Sequence, residues 1–86
     1  MKVCKYSGLS ASDVLQALAS AGKNYTIRRG WLSWRPAAGI LEDGIFSSGS
    51  GLFLQLIDGR RSGYVSRDFL VSSLVNTDFE IVRYTK

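Results

Sequence analysis

Eighty-six residues suffice for one hydrophobic core and are too few for two, so the chain reads as a single domain over residues 1-86. Eleven Lys and Arg against seven Asp and Glu give a formal charge of +4. Such a surface favours anionic partners, although a charge of this size also serves ordinary solubility. One cysteine, Cys4, and no histidine exclude an intrachain disulfide framework and leave a zinc site without its usual ligands. The commonest general base at neutral pH is missing as well.

Residues 1-9 read as an N-terminal extension. Met1-Lys2-Val3-Cys4-Lys5 has no apolar centre of the kind a signal peptide carries, and the longest apolar runs fall far short of a membrane span. With its single cysteine, the chain is expected in a reducing cytoplasm, with no membrane partner. A helix is predicted over 10-21. Ser10 caps it, and Asp13 stands three residues on, as in a capping box. Val14, Leu15 and Leu18 form its apolar stripe, extended by Ala11 and Ala21. Gly22 supplies the left-handed residue that ends it, and Lys23 follows near the negative helix end.

Beyond Gly22 the period changes. Tyr25-Thr26-Ile27-Arg28 alternates as a half-buried strand does, Arg29-Gly30 makes a turn or bulge, and Trp31-Leu32-Ser33-Trp34 resumes extended chain until Pro36. Ile40-Leu41 and Ile45-Phe46 flank Glu42-Asp43-Gly44 as a short hairpin, and 47-51 reads as a flexible Gly/Ser loop. Leu52 to Ile57 and Tyr64-Val65 flank a second turn beginning at Asp58-Gly59, with Arg60-Arg61 in its loop. A short helix over 67-74 is capped by Ser66, and the alternation of Phe79 to Tyr84 closes the chain as a strand. The order predicts an α+β fold: an N-terminal amphipathic helix packed on a small, mostly antiparallel sheet, with a short second helix before the last strand. A domain this small buries a modest share of its surface, and self-association is one way to bury more.

The seven carboxylates form no catalytic motif, Cys4 lacks a His partner, and there is neither a P-loop nor a dinucleotide fingerprint. The chain is therefore expected to bind rather than catalyse, with no metal and no cofactor. Arg28, Arg29, Trp31, Trp34 and Arg35 crowd within eight residues. Indole faces stack on bases and guanidinium forks grip phosphates. Gly30, lacking a Cβ, lets the backbone approach a ligand. In the competing reading both tryptophans are core and the arginines flank them in solvent. Parity limits that reading: on a regular strand, residues 31 and 34 point to opposite faces. Arg60-Arg61 are solvated turn charges or a phosphate contact, with Tyr64 beside them able to stack. Asn76-Thr77-Asp78 offers short polar groups, or simply a turn.

These pieces, in this order, resemble the phage Thoeris anti-defence proteins of the second type. The matching segments are Asp13-Val14-Leu15-Gln16-Ala17-Leu18, Gly22-Lys23, Ile27-Arg28-Arg29-Gly30-Trp31, Arg67-Asp68-Phe69-Leu70 and Asp78-Phe79-Glu80-Ile81-Val82. Residues 35-63 lie outside the likeness. Phe79 stands where such proteins usually have Trp, and the nine-residue extension precedes their first helix. The resemblance implies a homo-oligomer, dimer or tetramer, that encloses a cyclic nucleotide or cyclic ADP-ribose-type immune signal at subunit interfaces without cleaving it. It implies that Trp31 stacks on a base, that Arg28 or Arg29 neutralises phosphate, and that Asp78, with its neighbours Thr77 and Phe79, receives ribose hydroxyls or base edges. The host bacterial cytoplasm would be its place of action. Two alternatives use the same residues: a single-stranded nucleic-acid binder, and a protein-interaction module that inhibits a host enzyme with Trp and Arg as anchors.

Overall fold

The strands assemble into one six-stranded sheet in a computed structural model, which describes residues 1-22, 24-37 and 52-84. In chain order the elements are β1 (Lys2–Tyr6), α1 (Ala11–Ser20), β2 (Tyr25–Arg29), β3 (Leu32–Pro36), β4 (Leu52–Ile57), β5 (Arg60–Ser66), α2 (Arg67–Leu74) and β6 (Phe79–Arg83). Across the sheet the order is β1-β6-β2-β3-β4-β5, and every neighbouring pair is antiparallel. The α+β fold predicted from the sequence is the one observed. β2 to β5 run as a meander. α2 then carries the chain back over one face, so that β6 inserts between β1 and β2.

Local chemistry sets the helix ends. The Ser10 hydroxyl accepts from the Asp13 N–H at 3.4 Å, and the Ser66 hydroxyl accepts from the Phe69 N–H at 3.1 Å. After α1 the chain reverses at Gly22, whose φ of +83° lies in the left-handed region that glycine enters without a Cβ clash. α1 buries Val14, Ala17, Leu18 and Ala21, positions i, i+3, i+4 and i+7 of one stripe. Leu15 was expected in that stripe but is 42% exposed, because it stands on the stripe's flank; Ala11, in the first turn, is exposed too. α2 adds Leu70, Val71 and Leu74 to the same cluster.

One face of the sheet meets both helices. Ile27, Ile81 and Trp34 are in register across β2, β6 and β3, and all three are buried there with Tyr25, Phe53 and Phe79. Each large aliphatic side chain removed from water in this way stabilises the fold by about 1.5–3 kcal/mol. The Trp34 indole N–H donates to Gln55 Oε1 at 2.8 Å, so its one polar group is satisfied inside the core.

Two sequence expectations change. The N-terminal extension is not an appendage: residues 2-6 form the edge strand β1, pairing with β6 from Lys2↔Arg83 to Tyr6↔Phe79. Arg60 and Arg61 are not loop residues but the first two of β5. Asp58 and Gly59, at φ +52° and +77°, complete a two-residue turn of the I′ kind, so pairing resumes at once with Ile57↔Arg60. The predicted hairpin around Glu42-Asp43-Gly44, the 47-51 loop and Lys23 lie outside the described residues. Among the described residues no helix is long and apolar enough to cross a membrane.

Candidate functional site

The chain gathers its candidate groups at one end of the sheet. β1 and β2 finish there and β6 begins there, which brings three distant stretches of sequence side by side. Between them opens a cleft of about 730 Å³. Lys5, Tyr6 and Ser7 line it from the end of β1 and the residue after it, Arg28, Arg29 and Gly30 from the end of β2 and the turn beyond, and Asp78, Phe79 and Glu80 from the approach to β6 and its start. Its size falls in the range of small-molecule sites, about 300–1,000 Å³.

Each wall has its own chemistry. Tyr6 stacks on Phe79 with centroids 5.2 Å apart and planes 23° from parallel; Phe79 is itself buried in the core, so the pair closes the base of the cleft as an aromatic floor with little Phe79 surface left to stack on a ligand. Burial, aided by Cys4 and opposed by Arg83, holds the Tyr6 phenol above the ordinary tyrosine range. Ser7 Oγ donates to Asp78 Oδ1 at 2.6 Å, tying the end of β1 to the start of β6. Arg28 pairs with Glu80, its cross-strand partner in the register. The Arg28 side chain remains half-exposed, with guanidinium donors to spare. Arg29 turns the other way and donates to the Ser73 carbonyl in the last turn of α2, where a cation satisfies an orphan acceptor at the negative helix end. Lys5, opposite Glu80 on the far side, has no carboxylate within ion-pair distance among the described residues.

The candidate residues divide. Arg28, Arg29, Gly30, Asp78 and Phe79 line the cleft together. Trp31 directly follows Gly30 and is 76% exposed. Gly30, at φ +61°, and Trp31 form the two-residue turn enclosed by the Arg29↔Leu32 pair. Trp34 is 1% exposed and belongs to the core, so it cannot stack on a ligand without unfolding β3. The two indoles do part company, though not by strand parity: Trp31 lies in the turn, before β3 begins. Thr77 stands outside the cleft, its Oγ1 donating to the Leu74 carbonyl at 2.8 Å as a cap on α2. Tyr64 sits on β5, the opposite edge strand, under the Arg61 guanidinium.

Sequence reasoning missed Lys5, Tyr6, Ser7 and Glu80. The first three sat in the supposed extension, and only pairing with β6 reveals them; Glu80 lay inside a motif already noted but had no partner until β2 was placed beside it. Among the described residues no three His, Cys, Asp or Glu side chains cluster as a metal site would require. Compared with protein-family models, with curated proteins and with solved structures, the chain matches none.

Proposed function

We propose that this sheet-end cleft binds an anionic nucleotide-type small molecule, and that the protein sequesters it without cleaving it. The observation that carries the reading is the convergence of Lys5, Arg28 and Gly30 with Ser7, Asp78 and the Tyr6–Phe79 floor in one cleft of ligand size. Lys5 and the free donors of Arg28 hold phosphate oxygens. The Asp78 carboxylate, oriented by Ser7, accepts from ribose hydroxyls or a base edge. Trp31, next to Gly30, offers an exposed indole for stacking.

The ligand class is a cyclic nucleotide or a cyclic ADP-ribose-type immune signal, as in the phage Thoeris anti-defence proteins that the sequence resembles. A second copy of the chain completes the site in a homo-oligomer, and the host bacterial cytoplasm is where such signals are met. Isothermal titration against cyclic di- and trinucleotides and cyclic ADP-ribose isomers tests this. The reading predicts saturable binding of at least one ligand and its recovery intact after heat denaturation. Recovery of a cleaved product, or no binding across the panel, would overturn it.

A further inference from the structure

The face of the sheet turned away from both helices carries its own pattern. By register, one row crosses all six strands as Lys5, Glu80, Arg28, Ser33, Leu56 and Arg61. Beside it Arg35, Leu54 and Tyr64 are aligned across β3, β4 and β5. Leu54 is buried, while Lys5, Arg28, Arg35, Arg61 and Tyr64 are exposed. Among the described residues, four cations and one carboxylate, Glu80, leave this face at +3. No described helix covers this surface.

A β-bulge builds the far corner. Gln55 pairs with Gly63 and Leu56 with Arg61, which leaves Ser62 as an extra residue. On a regular strand residues 61 and 64 would point to opposite faces. The bulge returns Arg61 to the face of Tyr64, where its guanidinium lies 4.8 Å from the ring centroid and donates to the phenol oxygen. Guanidinium and phenol are thereby held as one flat, charged platform beside Arg35, which has no carboxylate partner among the described residues.

We infer that this face is a binding surface for single-stranded nucleic acid, which shares Lys5 and Arg28 with the cleft and extends beyond it to Arg35, Arg61 and Tyr64. The phosphodiester chain runs along the row from Lys5 to Arg61, about 24 Å at the usual strand spacing, and a base stacks against the Arg61–Tyr64 platform. That length matches the lower end of known single-strand site sizes, about four nucleotides. A second copy of this chain stacked face to face across the whole surface is a poor occupant, because +3 would meet +3. A membrane is also a poorer fit than nucleic acid: among the described strand residues of this face the exposed groups are mainly four cations and one phenol, and Val3 on the edge strand is too small an apolar anchor to enter lipid.

Fluorescence anisotropy of a labelled twelve-nucleotide oligothymidylate, titrated between about 50 and 200 mM salt, tests the assignment. Four phosphate contacts predict a log–log salt slope near −2.8, at about −0.7 per contact. Arg35→Gln with Arg61→Gln should weaken binding at least tenfold and bring the slope to about −1.4. Both side chains are exposed, and an unchanged melting temperature for the pair would show that the fold survives. Tyr64→Leu, which keeps every charge, should weaken binding while leaving the slope alone. Equal affinity for a duplex of the same length, oligonucleotide binding untouched by the Arg35/Arg61 pair, or capture by phosphatidylglycerol vesicles without oligonucleotide binding would each overturn the inference. The pair should leave any cyclic-nucleotide affinity within twofold. Failure of the cyclic-nucleotide panel with oligonucleotide binding intact would therefore sink the cleft reading alone.

Discussion

Trp31 and Trp34 stand three residues apart in one hairpin, and their substitution should have opposite consequences. Trp34 is 1% exposed, packed in the core and hydrogen-bonded to Gln55. Trp34→Phe keeps an aromatic ring but leaves a small void, costing about 1 kcal/mol, and deletes the indole donor, costing about another 1 kcal/mol. Trp34→Ala costs about 3–5 kcal/mol. An 86-residue domain has roughly 4–13 kcal/mol of total stability. The phenylalanine variant should therefore fold and melt about 8–16 °C lower, whereas the alanine variant approaches unfolding. Trp31, 76% exposed in the Gly30-Trp31 turn, loses almost nothing on replacement by Phe, about 0.5 kcal/mol at most. Urea and thermal denaturation followed by circular dichroism measure both. Intrinsic fluorescence adds a check: Trp31 alone in Trp34→Phe should be readily quenched by acrylamide, and Trp34 alone in Trp31→Phe should be shielded. If Trp31→Phe destabilised the domain more than Trp34→Phe, the assignment of one indole to the core and the other to the site would be wrong.

Three further outcomes are expected. Glu80→Gln removes the carboxylate paired with Arg28 in the cleft; because the Arg28 side chain is half-exposed, stability should move by no more than about 1 kcal/mol, while an anionic ligand should bind several-fold more tightly, read by titration calorimetry. Removing residues 1-7 strips β1 from β6, deletes Lys5, Tyr6 and Ser7 from the cleft and bares a new sheet edge; light scattering should show aggregation at low urea, and ligand binding should vanish. Burial, opposed by Arg67, raises the Tyr25 phenol above its ordinary value, so the folded state holds that proton more firmly than the unfolded chain. Its contribution is complete below the unfolded tyrosine value near pH 10 and is lost as pH climbs through the folded value. The urea midpoint should fall above about pH 10, and Tyr25→Phe should flatten that fall.

Elements whose signal is local were legible in the sequence. Ser10 with Asp13, Ser66 ahead of Arg67, and Gly22 after Ala21 mark both helices because a cap needs only its immediate neighbours. β6 was legible because Phe79 and Ile81 alternate with Glu80 over a strand buried between two others. β1 was not, because Lys2, Cys4 and Tyr6 make a weak apolar face, and an edge strand beside β6 can be recognised only from its partner. For the same reason the sequence supplied the β2 and β6 walls of the cleft, in Arg28 to Gly30 and Asp78-Phe79, but not the third. Trp34 counts as a site residue in the sequence because it stands among Arg28, Arg29, Trp31 and Arg35; its neighbours Ile27 and Gln55, 7 and 21 positions away, decide its burial. The pairing of Arg61 with Tyr64 depends on the bulge at Ser62, which no local pattern announces.

The location of the ligand is the most direct test of the account. In ¹H–¹⁵N correlation spectra of the intact chain, adding the tightest-binding member of a cyclic-nucleotide panel should shift the amides of Lys5 to Ser7, Arg28 to Gly30 and Asp78 to Glu80, together with the Trp31 indole. The Trp34 indole and the amides of Arg60 to Ser66 should stay in place. Shifts confined to β5, or a spectrum unmoved by every member of the panel, would contradict the placement of a nucleotide site at this end of the sheet.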